Sequence, residues 1–177
     1  FLRSAKEQDL TLDTAIKDFS TGMRAKLRVL TAVSHKADLL ILDEPTAGLD
    51  VVAREDILDI LRAYMEEDEN RAILITSHIS SDLEGLCDDI YMIHNGKVVL
   101  HEDTDVLLGK YAVLKVNLEQ YESLDRAYIV KEKKTKYGYT LLTNEKQYYL
   151  DNFRDIVVEN GTIDDLILMI AKKEDKK

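Results

Sequence analysis

Apolar residues follow two different periods in the first half of the chain, and these periods predict alternating helices and strands. Apolar side chains at helical spacing predict a helix over residues 22–34, with Ser20 as a good N-cap. The apolar run at Leu39–Asp43 predicts a buried parallel strand. Helical spacing returns over Val52–Met65, and Ala72–Thr76 is apolar again. Strand, helix and strand in this order predict a right-handed βαβ unit.

The second half of the chain has a different residue pattern, with short segments rich in β-branched and aromatic residues. Asn95-Gly96 separates two apolar runs and predicts a tight hairpin. The segment Thr162–Asp165 is a helix-starting pattern before a final apolar run. Short strands are predicted between these two signals, at Tyr111–Leu118, Ala127–Glu132, Tyr137–Thr143 and Lys146–Leu150. The segments past Gly109, without the Asn95-Gly96 hairpin, predict a small α+β module over residues 110–177.

Composition narrows the class of protein. The chain has 177 residues and is 45% hydrophobic, so it can bury a core of one domain or slightly more. Its net charge of −10 argues against a nucleic-acid partner and against direct docking on an anionic membrane. The single cysteine, Cys87, fits a reducing cytosol, and its apolar surroundings predict a packed thiol. An apolar run of the ~20 residues that span a bilayer is not found in the sequence.

Two adjacent carboxylates end the first predicted strand. Asp43 and Glu44 follow the apolar run directly, and ligand sites of parallel α/β sheets form at this end of the strands. Asp43 can hold Mg²⁺ directly or through water, and Glu44 can polarise an attacking water molecule. The alternative is a strand that simply ends in solvated acids. The residues that follow argue against this alternative.

Four motifs in a fixed order resemble those of an ATP-binding-cassette (ABC) ATPase. They are the signature-like segment Phe19–Met23, the acidic strand end Leu39–Pro45, the loop Thr46–Asp50 and a second strand ending in histidine, Ile73–His78. The resemblance is strong over residues 14–109 and weak elsewhere. It implies an α/β fold, namely part of a P-loop NTPase core with parallel strands and helices.

The resemblance also implies a domain division and a missing motif. Residues 1–109 correspond to the C-terminal part of an ABC ATPase domain, and residues 110–177 to an accessory α+β module. The phosphate-binding Walker A pattern, Gly-x-x-x-x-Gly-Lys-Ser/Thr, does not occur among the seven glycines. The chain also begins on Phe1 rather than Met. We therefore expect a fragment of a longer protein that is inactive alone.

Family resemblance assigns a role to each residue at the strand ends. Asp43 matches the aspartate that supports Mg²⁺, with water as the expected intermediary. Glu44 matches the catalytic glutamate, and His78 matches the switch histidine that senses the γ-phosphate and the attacking water. Asp50 would couple the two composite sites of a dimer. Its alternative role is to cap the helix that starts at Val51, and both roles can hold.

The signature-like segment departs from the common Leu-Ser-Gly-Gly-Gln form. Ser20 and Gly22 are kept, whereas Phe19, Thr21 and Met23 replace the first, third and fifth residues. The resemblance implies that residues 20–23 contact the γ-phosphate of ATP held by the opposite subunit. Met23 cannot hydrogen-bond as glutamine does. The alternative is a plain serine N-cap.

Taken together, these motifs predict an ATP-hydrolysing subunit of an ABC transporter, of the multidrug or antibiotic exporter type. ATP and Mg²⁺ are the expected substrate and cofactor. A second ATPase subunit and a transmembrane permease are the expected partners, which would place the protein on the cytoplasmic face of the membrane. Two other interpretations stay open, namely a soluble ABC-class ATPase acting on DNA or ribosomes, and an accessory module that is not an enzyme.

Overall fold

The computed structural model describes residue 10 and residues 13–171, and the chain forms two compact units that divide after Asp82. Among the described residues, no helix combines the length and the apolar composition needed to cross a membrane. Each unit has its own sheet structure and its own buried residues, so each is described separately.

The first unit contains the predicted βαβ arrangement. After a short 3-10 helix at Ile16–Asp18, its elements are α1 (Thr21–Val33), β1 (Leu39–Asp43), α2 (Val51–Glu66) and β2 (Ala72–Thr76), and α3 (Ser80–Glu84) begins at its end. Strands β1 and β2 pair in parallel, with Leu39 opposite Ala72 and Asp43 opposite Thr76. The prediction of two parallel strands joined by a helix is confirmed.

Strand β1 is less buried than its apolar sequence predicts. Leu40 is buried, but Leu39 is 54% exposed, Ile41 69% and Leu74 of β2 58%. Successive side chains of a strand point to opposite faces of the sheet. Among the described residues, only the face of β1 that carries Leu40 is shielded from solvent. Most buried residues of this unit belong to the apolar sides of α1 and α2. The prediction of a fully buried strand is therefore wrong.

The second unit opens with the predicted hairpin. Strands β3 (Asp89–His94) and β4 (Lys97–Asp103) are antiparallel, and Asn95 and Gly96 both have positive φ, 51° and 72°. This is the backbone that a type I′ turn requires. The remaining elements are α4 (Thr104–Lys110), β5 (Ala112–Val116), α5 (Leu118–Ser123), β6 (Ile129–Thr135), β7 (Gly138–Thr143), α6 (Lys146–Asn152), β8 (Val157–Asn160) and α7 (Ile163–Ala171).

An antiparallel sheet of strand order β6-β7-β5-β8 organises this second part of the chain. The last described helix, α7, starts where the sequence predicted. The Asp165 amide donates to Thr162 Oγ1 at 3.2 Å, and the Thr162 amide donates to Asp165 Oδ2 at 3.1 Å. Cys87 packs against a cluster that includes Leu107 and Leu166. Burial raises the pKa of its thiol to about 11, as expected for a packed rather than a reactive cysteine.

One predicted strand is a helix. Lys146–Leu150 lies within α6, where Tyr149 is fully buried. The hydroxyls of Tyr148 and Tyr149 both donate to Asp125, to its side chain at 2.7 Å and to its carbonyl at 2.8 Å. Consecutive residues of a strand point to opposite faces, so this shared contact needs the helical turn. Packing therefore overrides the strand preference of the aromatic residues.

A second correction concerns the end of β5. The strand was predicted to run to Leu118, but it stops at Val116 and α5 begins at Leu118. Asn117 caps this helix by accepting from the Gln120 amide at 2.8 Å, while the Gln120 side chain accepts from the Asn117 amide at 2.9 Å. This capping box was readable in the sequence. The division into domains 1–109 and 110–177 stays a prediction.

Candidate active site

The carboxyl ends of β1 and β2 bring Asp43, Glu44, Thr76 and His78 together. The two strands are parallel, so their carboxyl ends lie at the same edge of the sheet, and Asp43 stands opposite Thr76. Asp43, Glu44 and His78 are three residues that the sequence predicted for this site. Thr76 was not among the predicted site residues. It belongs to this group because the register of the two parallel strands places it opposite Asp43.

Glu44 and His78 are in direct contact. Oε2 of Glu44 lies 2.6 Å from Nδ1 of His78, and the His78 amide donates to the same oxygen at 3.3 Å. When Glu44 is a carboxylate it accepts this hydrogen bond, and Nδ1 of His78 is then the donor. The His78 side chain is 66% exposed and that of Glu44 36%. The pair is therefore open to a ligand and to water.

The backbone of Glu44 adopts a left-handed conformation, with φ at 48°. Such a residue costs about 1–3 kcal/mol and persists where the surroundings hold it in place. Here the Glu44 amide donates to both the carbonyl and the hydroxyl oxygen of Thr76, each at 3.1 Å. The amide is thus tied to β2 just where the chain leaves the sheet. Sequence patterns did not indicate this conformation.

Asp43 has the chemistry to support Mg²⁺. Its Oδ1 accepts a hydrogen bond from the Thr76 hydroxyl at 2.6 Å. A carboxylate offers about four acceptor positions, so others stay available. Among the described residues, no cluster of three or more His, Cys, Asp or Glu could hold a metal ion. Mg²⁺ is usually bound by one or two carboxylates together with phosphates and water, so the Asp43 carboxylate has the chemistry of one such ligand.

A second group of predicted residues lies at the N-termini of α1 and α2. Ser20 caps α1 by accepting from the Met23 amide at 3.1 Å, and Asp50 caps α2 by accepting from the Ala53 amide at 2.9 Å. Both N-caps were expected from the sequence. Both helix ends line one open cavity of about 800 Å³. The first turn of α1 holds no acidic residue, which leaves its positive end free to attract an anion.

Gly22 allows these two helices to approach closely. A Cβ placed on Gly22 would lie 3.1 Å from the Cβ of Ala53, closer than ordinary side-chain contact. Lys26 and Asp56 join the same pair of helices at 2.8 Å. The sequence assigned Gly22 to close approach of a phosphate. The structure adds a close approach of α2, and Thr21 and Met23 line the same cavity.

The predicted residues thus form two groups. Asp43, Glu44 and His78 gather at the strand ends, while Ser20, Gly22 and Asp50 gather at the helix ends. Sequence reasoning also missed a polar network made of buried Thr46 and Asp82 together with the partly exposed Arg54.

Known proteins share this part of the chain. A family model described as "AAA domain, putative AbiEii toxin, Type IV TA system" matches residues 7–81. The ABC transporter ATP-binding protein NatA of Bacillus subtilis is 36% identical over 90 residues, 50% of this chain and 35% of that protein. The lantibiotic transport ATP-binding protein SrtF of Streptococcus pyogenes is 38% identical over 90 residues, 51% of this chain and 38% of that protein.

A solved structure gives the same result. The structure titled "Structure of ATP binding subunit of ABC transporter" is 30% identical, with a TM-score of 0.50, over 58% of this chain and 43% of that one. The resemblance predicted from the sequence is confirmed, and over the matched part of the chain the fold is that of part of an ABC ATPase domain. The chain spans 35–38% of the length of these two curated relatives.

Proposed function

We propose that this chain supplies the catalytic carboxylate, the switch histidine and the signature segment of an ATP-hydrolysing subunit of an ABC transporter. The observation that carries the proposal is the 2.6 Å contact between Glu44 and His78, next to Asp43. A proton acceptor, an imidazole and a metal-supporting carboxylate in one exposed cluster suit phosphoryl transfer to water. The test is ATP turnover with Glu44 intact and with Glu44 changed, as set out in the Discussion.

In the proposed reaction, Glu44 accepts a proton from the water that attacks the γ-phosphorus. The bond to the ADP oxygen breaks as the new P–O bond forms, and the products are ADP and inorganic phosphate. With Nδ1 facing Glu44, Nε2 is the ring nitrogen that can reach a phosphate oxygen, and it donates a hydrogen bond to that oxygen when the ring is protonated. Asp43 would hold Mg²⁺, which neutralises charge on the phosphates when bound.

The helix ends supply the other half of a composite site. The amides at the start of α1, with the Ser20 hydroxyl, can bind the γ-phosphate presented by a second subunit. Asp50 caps α2 and lines the same cavity, so it can couple the two composite sites when the second subunit is bound. Bound nucleotide would then hold two subunits together.

The transport role is supported by the kinds of proteins that resemble this chain. The names of the similar proteins include lantibiotic transport and bacitracin transport ATP-binding proteins. We propose an exporter subunit that works with a transmembrane permease at the cytoplasmic face of the membrane.

The 177-residue chain by itself is expected to bind Mg-ATP only negligibly. The sequence contains no Gly-x-x-x-x-Gly-Lys-Ser/Thr pattern, so the amides and the lysine that neutralise the β- and γ-phosphates are missing from it. Isothermal titration calorimetry with Mg-ATP measures this directly. One-to-one binding in the micromolar range would contradict the expectation and place a phosphate site within these residues.

Ser20→Arg is expected to block the ATP-dependent dimer of the complete ATPase, by which we mean a protein that combines this chain with a phosphate-binding loop. The arginine would occupy the space where the partner's γ-phosphate binds. The effect is best seen in a Glu44→Gln background, in which the ATP-bound dimer accumulates. Size-exclusion chromatography with Mg-ATP gives the dimer fraction.

The matched control for this experiment is Thr31→Arg, an equally large change on an exposed position of the same helix. It is expected to dimerise normally. If Ser20→Arg also dimerises in this background, and still hydrolyses ATP when Glu44 is intact, Ser20 is only a helix cap, and its replacement by alanine would cost ~1 kcal/mol of stability.

A further inference from the structure

Two buried polar residues, Thr46 and Asp82, form a network with Arg54, whose side chain is 23% exposed. Thr46 is 0% exposed and Asp82 1%. Oδ2 of Asp82 accepts from the Thr46 hydroxyl at 2.7 Å, and Oδ1 lies 3.3 Å from Nε of Arg54. Both carboxylate oxygens therefore have a partner. A buried carboxylate is tolerated when it is paired in this way, and losing one partner is costly.

The network joins the three segments that carry the candidate site residues. Thr46 follows Glu44 by two positions, and Asp82 follows His78 by four. Arg54 lies in the first turn of α2, and its amide donates to the carbonyl of Asp50 at 3.0 Å. One buried carboxylate thus connects the chain after the catalytic carboxylate, the chain after the histidine and the helix that Asp50 caps.

The network begins only two residues after Glu44, whose backbone is strained. A left-handed residue other than glycine keeps its conformation only when its neighbours hold it. On one side, Thr76 binds the Glu44 amide. On the other side, the Ala47 amide donates to the Glu44 carbonyl at 3.2 Å and the Leu49 amide to the Thr46 carbonyl at 3.2 Å. The hydrogen bond from the Thr46 hydroxyl to buried Asp82 anchors this turn to the protein interior.

We infer that Thr46 and Asp82 are positioning residues, which act through Glu44 and His78 and do not themselves touch the nucleotide. Their buried hydrogen bond keeps the two segments in register, so that Glu44 Oε2 stays at bonding distance from His78 Nδ1. The inference rests on the proposed function for its catalytic consequence. Its structural part concerns the Glu44–His78 contact alone and is tested separately.

The structural part is tested on the 177-residue chain by nuclear magnetic resonance at one fixed pH. Thr46→Val removes the hydroxyl with little change of shape and leaves the Asp82–Arg54 pair in place. Nitrogen-15 shifts of the His78 ring are expected to show a smaller fraction of the Nδ1–H tautomer. Hydrogen exchange at the His78 amide is expected to become faster by at least about tenfold, because a hydrogen bond to a charged group is lost.

Two further variants sharpen this measurement. Thr46→Ser keeps the hydroxyl and is expected to restore both the tautomer fraction and the exchange rate. Asp59→Asn changes an exposed aspartate of α2, paired with Arg62, and is expected to leave His78 unchanged. If Thr46→Val speeds exchange equally at His78 and at buried Leu61 while the tautomer fraction stays constant, the network is merely structural and the inference is wrong.

The catalytic part is tested in the complete ATPase. Thr46→Val is expected to lower kcat about tenfold or more while the KM for Mg-ATP stays within about twofold, since positioning acts on the reacting geometry. A normal kcat in Thr46→Val overturns the positioning role and leaves the proposed function intact. A parent protein that does not hydrolyse ATP overturns the proposed function, while the ring measurements still decide the structural part.

Discussion

Glu44→Gln is expected to lower ATP turnover by the complete ATPase by about 10²–10⁴-fold, the usual cost of losing a general base. Glutamine keeps the size of the side chain and can accept a hydrogen bond from His78 Nδ1, but it cannot take a proton from water. Nucleotide binding is expected to persist, because Asp43 and the helix ends are untouched. Phosphate release and fluorescent-nucleotide binding measure the two quantities in parallel.

Glu69→Gln is the matched control, because it makes the same chemical change at an exposed position in the loop between α2 and β2. Its turnover is expected to equal that of the unmodified protein. Near-normal turnover in Glu44→Gln would assign the base elsewhere. His78 would then be the first candidate, since its ring lies 2.6 Å from the same position.

Gly138→Ala is expected to destabilise the second unit by more than about 3 kcal/mol, through backbone strain together with a steric clash. Gly138 has φ at 146°, and a Cβ built there would lie 2.0 Å from the carbonyl oxygen of Val116. That oxygen belongs to β5, the strand paired with β7, so the backbone cannot move aside without breaking the sheet. This prediction is independent of the proposed function.

Urea unfolding followed by tyrosine fluorescence measures this effect. Eight of the nine tyrosines lie in the second unit, and Tyr64 lies in the first. Gly109→Ala is the matched control. Gly109 lies in α4 with open space around its Cβ position, so alanine is expected to be neutral or to stabilise by up to about 1 kcal/mol. An unchanged midpoint for Gly138→Ala would show that the β7 backbone differs from the structure described.

The helix-starting and turn signals were the most reliable parts of the sequence. Ser20 and Asp50 cap α1 and α2 as expected, and Asn95-Gly96 makes the predicted hairpin turn. Such signals depend on hydrogen bonds and dihedral angles within a few residues, so the local sequence is sufficient. The capping box at Asn117 follows the same rule and starts α5 within a segment whose residue types are typical of a strand.

The errors have a common physical origin in long-range packing. Lys146–Leu150 has residues typical of strands, but the segment forms a helix. The burial of Tyr149 and the hydrogen bond from its hydroxyl to the Asp125 carbonyl stabilise this helix. The apolar run of β1 predicts burial on both faces, but which face is covered depends on what packs against the sheet. Neither outcome is encoded within the segment itself.

For the candidate site, the sequence by itself determined which residues stand at the strand ends and in which order, because strand length and the adjacent Asp43 and Glu44 are local properties. Only the tertiary structure decided that Glu44 meets His78 at 2.6 Å, with a left-handed backbone at Glu44. It also decided that Asp82 is buried against Thr46. These contacts join residues more than thirty positions apart, and they exist only once β1 and β2 have paired in register.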